Sequence, residues 1–353
     1  MQPSIAFTLN LIGIAHVKNN NPKVGLDFNK KALDIYISVL NMGHFNDVII
    51  PENLKSRKLQ LEYKEHCKRA IDVNIESLHS FNPLIAFTIF NIGSALIFSG
   101  EFESGLNYKF QSFVMRSCLY KDGLENSDIA YSLNGIGSAY YELKDFKNCL
   151  HFYEKAYEIR KELVGEDHPD TSMSLYNIGL AFTIKKEFET SLSYFIKSKG
   201  VLEKCFTANH PDIASVLSRI GSMYNSLKKF EKALDAKNKA LRMRLEIYKG
   251  INHHAIADSY NSLGITYDYM KKKDEATFHF NKALKMLEDL KGENHVGDHI
   301  DLVVSLYNTG KTYAELNKKK EAEPLLTRGD SMKSNILKET PAFKENLNRI
   351  SCP

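Results

Sequence analysis

The residues that most suggest chemistry are histidines and aspartates near the C-terminal end. His295 and His299 are four residues apart, a spacing at which two imidazoles on a helix can share one metal ion, and Asp298 and Asp301 are close by. However, His295 occupies the place that histidines hold in earlier His-Pro segments, and no third strong ligand is specified. We therefore predict a loop between helices here and no metal site.

Known catalytic and nucleotide-binding motifs are missing from the sequence. Gly310-Lys311-Thr312 resembles the end of a phosphate-binding loop, but that motif needs a glycine at position 305, where Ser305 stands. The sequence contains no Gly-x-Ser-x-Gly, no His-Glu-x-x-His and no Cys-His nucleophile arrangement. We predict that the protein is not an enzyme and needs no cofactor.

Composition and cysteine usage limit the partners and the compartment. The five cysteines are odd in number and include no Cys-x-x-Cys, and Cys149 falls where small buried residues recur, so we predict free thiols and a reducing, cytoplasmic location. The net charge of +4 is too small to indicate nucleic-acid or anionic-membrane binding. No apolar run approaches the roughly 18 residues of a membrane-spanning helix.

One unit, repeated along the chain, must position any functional residue. Residues 128–169 and 170–211 are two copies of the same pattern, shifted by 42 residues, and each ends in His-Pro. The same unit recurs around a series of marker glycines. They are Gly13, Gly93, Gly137, Gly179, Gly221, Gly264 and Gly310, with spacings of 80, 44, 42, 42, 43 and 46 residues. The gap of 80 residues is about two periods, so one unit lacks its glycine.

Each unit is predicted to be a pair of helices, A and B. Leu175, Ile178, Gly179 and Phe182 recur at i, i+3, i+4 and i+7, which is one stripe of helix A, and a second stripe for helix B begins at Phe188. A proline precedes helix A in most units, as expected for the first helical turn. Because glycine costs a helix about 1 kcal/mol relative to alanine, its recurrence predicts close packing of helix A on helix B.

This pattern, Leu-x-x-Ile/Leu-Gly-x-x-Tyr followed by Phe, a small residue, an aromatic residue and Ala, resembles the tetratricopeptide repeat. The longer period, with Gly-Glu-Asp-His-Pro-Asp between units, is similar to the kinesin-light-chain type. The resemblance implies an all-α fold, a right-handed α-solenoid of about eight antiparallel helix pairs. It predicts an array over residues 1–334 and a polar helix and tail over 335–353.

Two parts of the array are expected to be irregular. The second repeat, about 41–82, should be degenerate because Val48-Ile49-Ile50-Pro51 interrupts its helix A. The first repeat begins without a capping helix, which such arrays normally need. We therefore expect either that the chain is one part of a longer protein or that a partner covers this end.

The resemblance also implies an inner groove lined by the A helices. Two or three positions before the marker glycines stand Asn10, Asn91, Asn134, Asn177, Arg219, Asn261 and Asn308. After the glycines come Ser138, Tyr141, Ser222, Asn225, Asp268, Tyr269 and Lys311. Asparagine has both a donor and an acceptor, so a ladder of asparagines can pair with an extended peptide, and Arg219 would favour an acidic residue in it.

One alternative to this assignment remains open, and a second is not favoured. The asparagines can instead bond between neighbouring repeats and serve only the fold. The carboxylate clamp of chaperone-binding repeats is matched by Asn177 and Arg219 but not by Asn134, Ser138 and Ser215, so a free C-terminal carboxylate is not predicted as ligand.

The sequence thus predicts a non-catalytic scaffold that binds an extended peptide or partner segment across repeats 4 to 7. The predicted contacts are Asn91, Asn134, Ser138, Tyr141, Asn177, Arg219, Asn225, Asn261, Tyr269 and Asn308. The partner is a protein or peptide, with no nucleic acid and no membrane insertion. The alternative function is a sensor or regulatory array that is part of a larger signalling protein or enzyme.

Overall fold

The computed structural model of the chain describes residues 3–18, 21–39, 82–119, 127–206, 209–290 and 296–339. Within these ranges the backbone forms fourteen α-helices and no β-strand. The chain divides into two compact units, unit 1 (Met1–Gly165) and unit 2 (Glu166–Pro353). Each unit is described by itself below.

Unit 1 contains six described helices that pair as three hairpins. They are α1 (Pro3–Lys18), α2 (Pro22–Val39), α3 (Pro83–Phe98), α4 (Phe102–Leu119), α5 (Ser127–Glu142) and α6 (Phe146–Val164). Each A helix packs on the B helix that follows it, and the hairpins stack because α2 contacts α3 and α4 contacts α5. Unit 1 is therefore an α-solenoid stack.

Unit 2 repeats this arrangement with four hairpins. Its helices are α7 (Pro169–Ile184), α8 (Phe188–Cys205), α9 (Pro211–Ser226), α10 (Phe230–Ile247), α11 (His254–Tyr269), α12 (Lys273–Asp289), α13 (Val296–Glu315) and α14 (Lys319–Glu339). Successive hairpins meet through α8 and α9, α10 and α11, and α12 and α13. The predicted all-α solenoid of paired helices is confirmed.

The marker glycines lie where the two helices of a hairpin touch. A Cβ built on Gly179 would stand 2.9 Å from Cε1 of Phe195, and one on Gly93 would stand 2.9 Å from the carbonyl oxygen of Gly105. Real Cβ atoms do not approach other atoms so closely. The close contact expected from the recurrence of glycine is therefore present.

For Gly93 the nearest atom belongs to Gly105, and for the other six of the seven marker glycines it belongs to the residue sixteen positions later, on helix B. In three hairpins it is an aromatic ring, from Tyr153, Phe195 or Phe280, and in the last it is Leu326. In the remaining hairpins this position holds Asn29, Lys109 and Lys237. Two lysines therefore occupy a buried position that elsewhere carries an apolar or aromatic side chain, with exposed fractions of 2% for Lys109 and 3% for Lys237.

The turn from helix A to helix B has the same backbone in successive hairpins. Seven positions after the marker glycine the chain takes a positive φ, at Gly100 (85°), Lys144 (60°), Lys186 (60°), Lys228 (58°), Lys271 (63°) and Asn317 (59°). Left-handed backbone costs a residue with a side chain about 1–2 kcal/mol. The lysines at these positions, Lys144, Lys186, Lys228 and Lys271, are all exposed.

Buried arginines on the B helices connect one hairpin to the next. In unit 1, Nη1 of Arg116 donates to the carbonyl of Asp128 (3.1 Å) and to Oγ of Ser132 (2.7 Å). In unit 2, Nη1 of Arg244 donates to the carbonyl of Ala255 (2.9 Å) and to Oγ of Ser259 (2.7 Å). Each arginine therefore ties a B helix to the first turns of the next A helix.

The irregular parts of the prediction fall mostly outside the described residues. This applies to the second repeat apart from Asn82, whose side chain caps α3 by accepting from the N–H of Leu84 (2.8 Å). It also applies to residues 340–353 and to His295. The last described helix, α14, continues to Glu339, beyond residue 334 where the array was predicted to end.

Candidate functional site

The A helices of unit 2 line a cavity of about 490 Å³, which we call the groove. Five residues predicted to contact a ligand line it together: Arg219, Asn225, Asn261, Tyr269 and Asn308. They come from three successive A helices, α9, α11 and α13. The repeat period places them side by side, because each occupies a related position in its own helix.

The other predicted contact residues lie elsewhere. Asn177 is on α7 and is only 9% exposed. Asn91, Asn134, Ser138 and Tyr141 belong to unit 1, so they are not part of the groove. In unit 1, Tyr141 faces the ammonium of Lys144, which lies 4.6 Å from the ring centroid, and Ser138 donates to the carbonyl of Asn134 at 3.0 Å.

Several asparagine side chains bond to the next repeat. In unit 1, Nδ2 of Asn91 donates to Oδ1 of Asn10 (3.1 Å), whose Nδ2 donates to Oγ1 of Thr88 (3.1 Å). In unit 2, Nδ2 of Asn225 donates to Oγ1 of Thr266 (2.9 Å). These amide groups therefore connect one repeat with another, as the alternative assignment expects.

Two amide atoms in the groove are still without a partner among the described residues. Oδ1 of Asn225 and Nδ2 of Asn308 are both buried and make no hydrogen bond there. A buried polar atom left unbonded costs about 1–3 kcal/mol. One of these atoms is an acceptor on α9 and the other is a donor on α13, two repeats further along the groove.

A row of serines forms the α9 side of the groove. Ser215, Ser218, Ser222 and Ser226 all line it. The hydroxyls of Ser215, Ser222 and Ser226 donate to carbonyls four residues earlier, at 2.9, 3.1 and 3.3 Å. Their oxygen lone pairs are thus available as acceptors, and the small side chains let another backbone approach α9 closely.

Positive charge lies at the inner wall of the groove, which sequence reasoning missed. Nζ of Lys237 donates to the carbonyl of Ser262 (2.8 Å) and to Oγ1 of Thr266 (2.8 Å). Burial lowers the pKa of Lys237 to about 7, although the charge of Asp258 opposes that shift. The available signal was a lysine sixteen residues after Gly221, where other repeats carry aromatic rings.

Exposed side chains at the groove offer selective contacts. Tyr269 is 56% exposed, and Ile265 beside it is 37% exposed. Arg219 is also exposed, and its Nε donates to the hydroxyl of Tyr176 at 3.0 Å. An aromatic ring, an aliphatic side chain and a guanidinium therefore face the same cavity.

Comparison with known proteins gives a family match for the central part of the chain. The tetratricopeptide-repeat model matches residues 128–204, 182–246 and 212–289, which include the A and B helices from α5 to α12. Residues 128–289 therefore belong to the tetratricopeptide-repeat family. The sequence matches no curated protein significantly.

Solved structures with the same repeat fold include three informative ones. BtubC (BKLC) from P. vanneervenii is 18% identical with a TM-score of 0.57, covering 67% of this chain and 92% of that chain. The kinesin-light-chain-like TPR repeats of Podosopora anserina are 13% identical with a TM-score of 0.50, covering 60% and 98%. NprR in complex with its cognate peptide NprX is 15% identical with a TM-score of 0.53, covering 90% and 81%. At these identities the likeness concerns the fold alone.

The described residues contain neither a cluster of metal ligands nor a helix that could span a membrane. Among them, no group of three or more histidine, cysteine, aspartate or glutamate side chains could hold a metal ion. None of the described helices is long and apolar enough to cross a membrane.

A histidine caps the N-terminus of helix A in three repeats of unit 2, where the helix begins after a His-Pro or His-His segment. Nδ1 of His168, His210 and His253 accepts from the backbone N–H two residues later, at 3.2, 3.2 and 3.1 Å. An imidazolium donates at both nitrogens and cannot accept. Oδ2 of Asp170 and of Asp212 stands 3.7 Å from Nδ1 of the first two histidines, whereas the corresponding position two residues after His253 is Ala255.

We expect the His253 cap to make stability depend on pH. Burial lowers the pKa of His253, and the charges of His254 and Arg244 add to the shift. The unfolded chain then binds the proton more readily, so stability is fully present above the unfolded pKa of about 6.5 and is lost as pH falls toward the folded value. Urea denaturation of wild type and His253→Asn between pH 8 and 5 measures this, because asparagine caps without titrating.

The free energy of unfolding should change less steeply with pH in His253→Asn than in wild type. His210→Asn is the matched control for replacing a capping histidine by asparagine at another A helix. Equal slopes for His253→Asn and wild type would show that this cap does not sense pH.

Proposed function

We propose that this protein is a non-catalytic interaction module whose unit 2 binds an extended peptide segment of a partner protein in the groove. The observation that carries the proposal is the pair of buried, unbonded amide atoms, Oδ1 of Asn225 and Nδ2 of Asn308, in a cavity walled by serine hydroxyls. Backbone N–H and C=O groups of a peptide would satisfy both atoms.

The dimensions of the repeat suit an extended chain. Packed helices lie about 8–10 Å apart, and a strand advances about 3.3 Å per residue. Each repeat would therefore meet roughly every third residue of a peptide. The four A helices of unit 2 would accommodate a segment of roughly nine residues.

The polarity of the groove favours a peptide over a lipid or an aliphatic ligand. Serine, asparagine and charged side chains make up most of its wall. Tyr269 and Ile265 would read individual side chains, while the amides bind the backbone with little demand on sequence. The structure of NprR with its cognate peptide shows that another protein of this fold binds a peptide.

Blocking the groove should abolish peptide binding without unfolding the protein. Peptides would be selected from a random nonapeptide display library on the full chain, and their affinities measured by fluorescence anisotropy. Ser222→Phe places a ring in the groove and should weaken binding at least tenfold. Ser193→Phe is the matched control, because Ser193 is exposed on α8 and does not line the groove.

The contrary result would be a peptide that binds Ser222→Phe and wild type equally, with both proteins fully helical by circular dichroism. Binding would then lie outside the groove. A library that yields no binder to the full chain would also count against the proposal.

A further inference from the structure

Lys237 is a buried ammonium without an ion pair. Its Nζ bonds to the carbonyl of Ser262 and to Oγ1 of Thr266, which leaves a third N–H with no acceptor among the described residues. Among the described residues, no carboxylate lies within salt-bridge distance of Nζ of Lys237. The nearby carboxylate of Asp258 bonds instead to Nη1 of Arg244, at 3.3 Å. Burying an uncompensated charge is costly, so such groups are normally paired.

An unbonded acceptor shares the same neighbourhood. Nδ2 of Asn225 donates to the same Thr266 hydroxyl that accepts from Lys237, so the two side chains converge on one atom. Oδ1 of Asn225 is buried without a partner among the described residues, and Asn225 as a whole is only 7% exposed. The hydroxyl of Thr266 in turn donates to the carbonyl of Ser262 at 3.1 Å. The protein therefore leaves both a donor and an acceptor unmet beside one another.

The other charged groups of the groove come from every helix around Lys237. They are Arg219 from α9, Arg244 from α10, His254 and Asp258 from α11, and Asp301 from α13. Arg244 and Asp258 bond to each other, which largely cancels their charges. The exposed Arg219 adds positive charge to the α9 side.

We propose that Lys237 recognises a carboxylate side chain of the peptide bound in the groove. One carboxylate oxygen accepts the third N–H of Lys237, and a peptide N–H next to that side chain donates to Oδ1 of Asn225. This inference rests on the proposed function, and it specifies that the peptide carries an aspartate or glutamate at the residue that reaches Lys237.

Recognition by Lys237 makes peptide binding depend on pH. Burial lowers the pKa of Lys237 in the free protein to about 7, so part of the protein carries a neutral amine at neutral pH. A bound carboxylate raises that pKa, and binding then takes up a proton above pH 7. Affinity should therefore fall as pH rises, at the steepest about tenfold per pH unit.

Paired peptides test the proposal. Acidic peptides selected on the full chain, and shown by Ser222→Phe to occupy the groove, would each be made with the acid changed to its amide. On wild type at pH 7 the amide form should bind at least tenfold more weakly. On Lys237→Met the two forms should bind within twofold of each other, because the charge that distinguishes them is gone.

Two further variants separate recognition from a structural role. Lys237→Arg keeps a permanent charge, so its preference for the acid should persist while the fall in affinity between pH 7 and 8.5 disappears. Lys239→Gln removes an exposed lysine that pairs with Asp235 and should change neither property. Lys237→Met should remain folded, as circular dichroism would check, because methionine is unbranched like lysine and has no charge to bury.

The outcomes also distinguish this inference from the proposed function. Groove-bound peptides without an acid, or an acid-to-amide penalty that survives in Lys237→Met, would overturn the role of Lys237 and leave peptide binding intact. Peptides that bind Ser222→Phe and wild type with equal affinity would overturn both the role of Lys237 and the proposed function.

Discussion

Replacing Phe195 by alanine should lower the free energy of unfolding by about 3–5 kcal/mol, the usual cost of removing a fully buried aromatic ring. Phe195 is 0% exposed and packs in the core of unit 2 with Leu202 and Ile213. Its ring lies 5.3 Å from that of Tyr176, centroid to centroid, and covers Gly179. Urea denaturation followed by circular dichroism measures the loss.

The matched control for this substitution is Phe278→Ala. Phe278 is 54% exposed on α12, where its main neighbour is the ammonium of Lys282 at 4.5 Å. Exposed substitutions usually change stability by less than about 0.5 kcal/mol. Similar losses for the two variants would mean that the A–B contact at Phe195 contributes little.

The second large effect is expected at Gly179, the helix A residue that packs against Phe195. Gly179→Leu should destabilise the protein by about 1–3 kcal/mol or more, because overpacking forces the ring or the backbone to move. A Cβ at this position alone would stand 2.9 Å from Phe195. The denaturation midpoint is the quantity to compare.

Gly200 offers a control of the same residue type. It lies inside α8, and a Cβ there would meet nothing within 4 Å. Gly200→Leu should raise stability, because leucine is favoured over glycine inside a helix by roughly 0.8 kcal/mol. If Gly179→Leu were as well tolerated as Gly200→Leu, close packing could not explain the recurrent glycine.

The hairpin architecture could be predicted from sequence because local rules govern it. A helix repeats every 3.6 residues, so apolar positions such as Leu175 and Ile178 reveal the buried stripe. The recurrent glycine marks the contact with helix B, since no other residue tolerates that distance. Both signals depend on neighbours that lie within one repeat.

The details of the groove could not be predicted, because they depend on side chains that meet across repeats. The sequence places Asn225 and Asn261 on the inner face, but it does not reveal that Thr266 and Ser305 bond to them. Lys237 was missed for the same reason. The role of a lysine at a position that elsewhere holds an aromatic residue becomes clear only from its hydrogen bond to Thr266 in the next repeat.

The bond between Lys237 and Thr266 also bears on how a chain of similar hairpins assembles in the right order. Near-identical surfaces allow a helix to dock on the wrong copy, which is a common failure of repeat proteins. Two residues after the marker glycine, where α11 carries Thr266, the helices α5, α7 and α9 carry Ala139, Ala181 and Met223. An α10 docked on any of these would bury its ammonium against a side chain without an acceptor. The lysine thus favours an A helix with a hydroxyl at this position, which Thr266 supplies on α11 and Thr312 on α13, and it penalises docking on α5, α7 or α9 that apolar packing alone would tolerate.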